Sequence, residues 1–427
     1  MIAKAAVRFA ILGSLAVFAA GQRELAGIAQ RGSGDGSMPV FEVDTAWPAI
    51  PNNWVFGNVS SVAVDKRDHV WVLQRPKSLP ENMRDRAAPP VVEFDANGKF
   101  VNAWGGEGQG YDWPDQPHGI AVDYKDNVWI TGAAYATIPV VRSDDMALKF
   151  SNKGKFLLQI GGRTTNKGNA DTKNLNRPAD VVVLAKTNEA FFADGYGNRR
   201  VIVLDADTGA YKRSWGAFGN KPEDGRQGLF GGGVVAGTPA PPPPPTPPGE
   251  ARGGGRGPSA AELQIPVVDT QGDGLAQFSN PVHAVKISND GLVYVADRVG
   301  RRIQVFTPEG KYVTQGFVNR SGPSRESAAG LAFSPDPQQR FLYVGDFGNS
   351  RIVVLNRKTL AELYQFGTRN ASPGNFQGVH LIAADSKGNL YTAEVNPGNR
   401  AQKFVFKGLS PTPPANALPA TKPSADK

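Results

Sequence analysis

From Val40 onward the chain is written in short apolar runs in which hydrophobic and polar side chains tend to alternate, each stopped by Gly, Asn or Asp. A period of two, punctuated by turn formers, specifies β-strands. The runs come in sets of four. In each set an apolar run ending in Asp or a turn residue is followed by a run carrying an aromatic, then a third run, a turn and a fourth run. The sets are 59–65, 69–74, 91–95 and 100–104; 118–123, 127–131, 146–150 and 155–160; and 180–184, 190–194, 200–204 and 210–215. They continue with 283–288, 292–297, 302–306 and 311–317, then 330–334, 341–346, 351–355 and 361–366. A sixth set, 380–385, 389–394 and 401–406, lacks its fourth run, and the stretch 40–47 ahead of the first set has the character of one.

Such repetition predicts an all-β chain folded as a six-bladed β-propeller, with the N-terminal strand supplying the outer edge of the last blade. Repetition round an axis leaves only short, protected edges. The turn between second and third runs also repeats, as Gly197-Asn198-Arg199-Arg200, Gly300-Arg301-Arg302, Gly348-Asn349-Ser350-Arg351 and Gly398-Asn399-Arg400. Gly and Asn accept the positive φ that turns require. The arginine opening the next strand is placed to reach backbone carbonyls, a structural role.

The segments outside the repeats have their own signatures. Residues 1–21 carry Lys4 and Arg8 ahead of an apolar run, 9–20, and then small residues. This is the order of an export signal, too short to span a bilayer comfortably; the alternative is an uncleaved anchor. Residues 22–38 read as a flexible leader to a propeller at 39–408. Between the third and fourth blades, 217–275 contains a proline run from Pro241 to Pro248 and a Gly/Arg-rich stretch at 252–258. Segments of this composition do not pack, so a disordered insertion is expected, as is a disordered tail at 409–427.

Composition narrows the function classes. With 50 glycines and 34 prolines, the chain favours turns over helices. It has no cysteine, which excludes disulfides, thiolate metal ligands and lipid attachment at cysteine. The net charge of +8 is spread without a basic helix or a base-stacking platform, so nucleic acid is not an expected partner. After signal removal the chain is read as a secreted or periplasmic monomer with no membrane association.

Candidate chemistry lies in the histidines. The sequence has four, and three of them open the first run of alternate sets: His118, His283 and His380. Each stands 11 residues before an aromatic of the next run, Trp129, Tyr294 and Tyr391. The first strand of a blade lines the central channel, and alternate blades of a six-fold ring are about 120° apart. Three imidazoles at one register therefore converge on the axis and leave a fourth coordination position open, as at a catalytic zinc. Iron, copper and nickel also suit imidazole. The intervening blades carry Ser60, Asp180 and Ala329 at this level, and His69 is expected to face solvent. The second strand of a blade returns to the same mouth, bringing Arg75, Tyr196 and Arg298 there. Two guanidiniums can hold a substrate carboxylate, and a tyrosine whose pKa is lowered by a metal and arginines can take a proton.

At these residues the sequence resembles the peptidyl-α-hydroxyglycine α-amidating lyase family. The resemblance is carried by Gln116-Pro117-His118-Gly119, by Ser279-Asn280-Pro281-Val282-His283 with Ala296-Asp297-Arg298, by Val379-His380, and by Ala193-Asp194-Gly195-Tyr196-Gly197-Asn198-Arg199-Arg200. It is looser from Val64-Asp65 to Gln74-Arg75. It implies an NHL-type six-bladed propeller with Zn2+ on His118, His283 and His380. Tyr196 would be the base, and Arg75 and Arg298 would assist carboxylate binding and transition-state charge. The reaction implied is cleavage of a peptidyl- or N-acyl-α-hydroxyglycine-like carbinolamide to an amide and glyoxylate. One departure concerns calcium: Leu381 stands where the family has an Asp that contributes to a structural Ca2+, so that ion is doubtful here. Two other readings remain open, a metal-dependent propeller hydrolase or lactonase, and a non-catalytic propeller that binds a protein or glycan.

Overall fold

The computed structural model describes residues 36–134, 143–224, 272–324 and 326–418. The runs form six sheets of four strands, one extended by a fifth. In blades one to five the four strands are hydrogen-bonded in sequence order, innermost to outermost. The innermost strands of blades one to six are Asn58–Val64, Pro117–Val122, Asp180–Leu184, Val282–Ile287, Ala328–Phe333 and Val379–Ala384. Each lies beside the next, and that of blade six lies beside that of blade one, so the ring closes. The all-β, six-bladed propeller is the observed fold.

Closure joins strands far apart in the chain. Met38–Asp44 pairs antiparallel with Arg400–Ser410, Phe41 opposite Phe406 and Val43 opposite Phe404, and forms the outer edge of blade six. Trp47 then wedges between Tyr391 of blade six and Phe94 of blade one, with ring centroids 5.1 and 5.9 Å away.

Alternation in the sequence survives best in outer strands such as Phe156–Arg163, where one face meets solvent. The middle strands Val70–Arg75 and Phe341–Asp346 are buried along nearly their whole length, because each blade is sandwiched between two neighbours. A separate apolar cluster fills each gap between blades. Between blades two and three it contains Trp129, Ile160, Leu175, Phe192 and Ile202.

Two polar devices hold the blades in register. At the turn from first to second strand, Asp65, Asp123 and Asp385 each accept the backbone N–H groups two and four residues on. The same carboxylates accept from Trp71 Nε1, Trp129 Nε1 and Tyr391 Oη. At the start of the third strand three of the four repeated arginines pair with an acid, while Arg351 bonds Gln365 Oε1 instead. Arg200 Nε lies 2.8 Å from Asp194, Arg302 Nε 2.9 Å from Asp297 and Arg400 Nε 2.8 Å from Glu394. Their remaining nitrogens donate to carbonyls of the loop entering the blade: Asn169, Asp171 and Asn174 for Arg200, and Asp273, Leu275 and Gln277 for Arg302. The structural role expected of these arginines is the one observed. Removing one member of such a buried pair costs about 3–5 kcal/mol, because the other charge stays buried.

The boundaries differ from expectation in two places. The insertion is narrower than 217–275: Ala217 is buried, Phe218 N–H donates to Gln304, and Asp273 and Leu275 receive Arg302. The tail is ordered beyond 408. The last strand of blade six runs to Ser410, and Ala417–Leu418 adds a fifth strand to blade five, opposite Phe366 and Gln365. The unpaired outer edge of Glu362–Phe366 presents backbone groups that an extended segment satisfies. Ending the chain at Ser410 is expected to cost about 1–3 kcal/mol, two backbone bonds at about 0.5–1.5 kcal/mol each, read as a lower urea midpoint. The stretch 1–21 expected to be an export signal, most of the leader, residues 225–271 of the insertion and 419–427 of the tail lie outside the described residues. No helix among the described residues is long and apolar enough to cross a membrane.

Candidate metal centre

His118, His283 and His380 are each the second residue of an innermost strand, in blades two, four and six. All three strands have a register shift at the histidine, between Pro117 and Ile120, Val282 and Ala284, and Val379 and Ile382. Such bulges re-aim a side chain, here toward the axis. Imidazole Nδ1 of each donates to a carbonyl of the following blade: His118 to Ala179 at 2.7 Å, His283 to Ala329 at 2.8 Å and His380 to Ser60 at 2.6 Å. A carbonyl only accepts, so every Nδ1 carries the proton and every Nε2 presents a lone pair. Close approach of the blades depends on Gly119, where a Cβ would lie 2.5 Å from the Ala179 oxygen.

The three rings meet edge to face, with centroids 4.6 to 5.0 Å apart. His283 Nε2 and His380 Nε2 are 3.1 Å apart, lone pair against lone pair, and both side chains are buried. A cation between them would relieve this opposition, and a proton is disfavoured. Burial pushes all three pKa values well below the usual histidine value. The Arg298 guanidinium adds to this for all three, that of Arg75 for His118 and His380, and a proton on His380 would depress His118 and His283 further. Neutral imidazoles with converging Nε2 atoms, each fixed by a backbone carbonyl behind it, are the donor set of a divalent transition metal. His118, His283 and His380 can hold a metal ion.

Tyr196 joins this group. Its Oη is 3.0 Å from His118 Nε2 and 3.1 Å from His283 Nε2. The loop carrying it lies directly on the backbone of Val282, since a Cβ on Gly195 would come within 2.0 Å of the Val282 oxygen. Arg298 Nη1 is 3.2 Å from both Tyr196 Oη and His283 Nε2. Arg75, half-buried, donates from Nε to the carbonyl of Pro117, next to His118, at 2.9 Å. The expected fall in the tyrosine pKa is not what the protein alone produces. Burial raises it, and the charges of Arg298 and Arg75 offset only part of that.

Several expected positions differ in detail. Ser60 and Ala329 contribute carbonyls, but in blade three the carbonyl is that of Ala179. Asp180 turns instead to Lys286 Nζ at 2.6 Å and the Val285 N–H at 3.2 Å. Arg298 does not offer an open guanidinium. Its side chain is 4% exposed, its Nη2 is 2.7 Å from Glu326 Oε2, and Phe347 covers its face at 4.0 Å. Phe347 was detectable, since it follows the second strand of blade five as Arg298 follows that of blade four. Glu326 lies in an entry loop outside the repeat pattern. His69 is 20% exposed and lies 2.7 Å from Glu93, in a cluster with Asp65 that Arg67 closes by bonding both acids. Leu381 packs in the apolar cluster between blades four and five and has no oxygen donor.

No family model matches the chain. NHL repeat-containing protein 3 of Homo sapiens is 25% identical over 378 residues, covering 86% of this chain and 84% of that protein. Peptidyl-alpha-hydroxyglycine alpha-amidating lyase 1 of Drosophila melanogaster is 25% identical over 416 residues, 90% of this chain and 63% of that protein. Among solved structures, virginiamycin B lyase from Staphylococcus aureus matches with a TM-score of 0.43 at 12% identity, covering 86% of this chain and 89% of that one. Over most of its length, then, this six-bladed chain is similar to an NHL repeat-containing protein and, at low identity, to a protein named as an amidating lyase.

Proposed function

We propose that the protein is an exported, zinc-dependent carbon–nitrogen lyase that splits an N-acyl-α-hydroxyglycine-like carbinolamide into an amide and glyoxylate. The carrying observation is the placement of Tyr196 Oη within 3.0 and 3.1 Å of two of three converging imidazole Nε2 atoms. A zinc ion held by those three nitrogens would supply a Lewis acid for the carbinol oxygen. Tyr196 is the group placed to take the hydroxyl proton. The O–H electrons become the second bond of the aldehyde, the C–N bond breaks, and its electron pair leaves with the amide nitrogen. The proton taken by Tyr196 is returned to that nitrogen, so neither water nor a redox partner is consumed. Arg298 and Arg75 favour the phenolate against the effect of burial, and a cation at the imidazoles acts in the same sense. The resemblance at Ala193–Arg200 and the amidating-lyase relative support this reading.

The test is glyoxylate release from α-hydroxyhippurate by zinc-loaded protein. Tyr196→Phe is expected to keep its zinc while kcat falls by about 10²–10⁴, the range for a lost general base. Zinc-loaded wild type that releases no glyoxylate above the uncatalysed rate would sink the proposal. Turnover of lactones instead would favour the hydrolase reading.

A further inference from the structure

Arg298 poses a problem for any metal at this centre. Its Nη1 lies 3.2 Å from His283 Nε2, the lone pair a cation needs. A guanidinium there both occupies that nitrogen and brings a like charge beside an incoming divalent ion. Water screens little, because Arg298, Tyr196 and all three histidines are buried. Three neutral imidazoles bring no negative charge of their own.

The compensating charge is Glu326. Its Oε2 is 2.7 Å from Arg298 Nη2, the terminal nitrogen other than the one near His283, and its side chain is 15% exposed. Its position is fixed through the backbone. The N–H of Ser327, the next residue, donates to the carbonyl of Arg298 at 3.0 Å, and Ser327 O accepts from Phe347 N–H at 3.1 Å. Glu326 N–H and O are both bonded to Ser324 Oγ. The strand end that presents Arg298 therefore carries its carboxylate partner with it, and Phe347 covers the guanidinium at 4.0 Å.

We propose that Glu326 is the charge-compensating, positioning residue of the metal centre. It anchors Arg298 by Nη2, neutralises it as a pair, and so lets Nη1 give up His283 Nε2 to a divalent cation. The inference rests on the metal-site reading and is independent of the lyase chemistry. Its test is the zinc affinity of the full chain, by competition with a chromogenic chelator at fixed pH. Glu326→Gln, which keeps the shape and removes the charge, is expected to weaken zinc binding at least ten-fold. Adding Arg298→Met to it is expected to return affinity to within about three-fold of wild type, a rescue that a merely structural role for Glu326 would not give. Arg298→Met alone leaves the Glu326 carboxylate beside the centre without its countercharge and is expected to tighten binding at least three-fold, which keeps the test open should Glu326→Gln fail to fold. Wild-type affinity in Glu326→Gln, a double variant as weak as the single, or weaker zinc binding in Arg298→Met overturns the proposal while leaving the metal site standing. Wild type that binds no zinc removes the metal site and this proposal together.

Discussion

His283→Ala is expected to abolish zinc binding in practice and, with it, all glyoxylate release. Of the three imidazoles, His283 is the one in contact with the whole group: His380 Nε2 at 3.1 Å, Tyr196 Oη at 3.1 Å and Arg298 Nη1 at 3.2 Å. Removing it leaves two nitrogen donors and lets the guanidinium move into the vacated space. Loss of outer partners that merely orient ligands costs about 10–100-fold in metal affinity; loss of a ligand itself is expected to exceed that, on the order of 10³-fold or more. Measured by chelator competition, zinc affinity within ten-fold of wild type would show that the three histidines are not the site.

Acid should unfold the metal-free protein in the pH range where unfolded histidines take up protons. In the folded state all three pKa values lie well below the usual value, chiefly through burial. The unfolded chain therefore binds more protons than the folded one once pH falls below about 6.5. Stability rises with pH wherever that is so. The contribution is present above about pH 6.5 and is lost on acidification toward the depressed folded values. Three histidines give a slope of at most about 4 kcal/mol per pH unit, three times the 1.36 kcal/mol of a single proton. Urea midpoints taken with chelator at pH 7.5 and pH 5.5 measure it. A triple His→Gln variant at 118, 283 and 380 isolates the effect from buried acids such as Asp180 and Asp297, whose raised values act oppositely. Equal pH dependence in wild type and variant would refute the assignment.

The features legible in sequence are those the repeat displays. His118, His283 and His380 could be placed on one ring because they share a register, and the structural arginines because their turn recurs. Where one blade lacks a bulge that its counterparts have, the reading slips by a residue. Blades one and five have a bulge in the innermost strand, between Val59 and Ser61 and between Ala328 and Gly330, whereas the pairing of Asp180–Leu184 is regular. The carbonyl behind His118 accordingly comes from Ala179, one residue before the aligned Asp180. Glu326 was invisible because it sits in a loop that no repeat constrains, so the pairing of Arg298 with an internal carboxylate could not be read. The direction of the Tyr196 shift depends on burial against two arginines, a balance set by packing rather than by residue type. Ala417–Leu418 is too short to show a period; it became a strand because blade five offered it an edge.

Closure of the ring also ties the centre to the two ends of the propeller. His380 belongs to blade six, whose outer strand is Met38–Asp44 and whose neighbour across the seam, blade one, supplies the Ser60 carbonyl that orients it. The third ligand is therefore oriented across the same seam that the pairing of Arg400–Ser410 with Met38–Asp44 closes. A metal taken up by all three imidazoles would spend its binding energy on the seam, drawing blades two, four and six together at the axis. Occupancy of the centre would thus report that the chain has finished folding, and a nick or slip at the seam would be felt first at the metal.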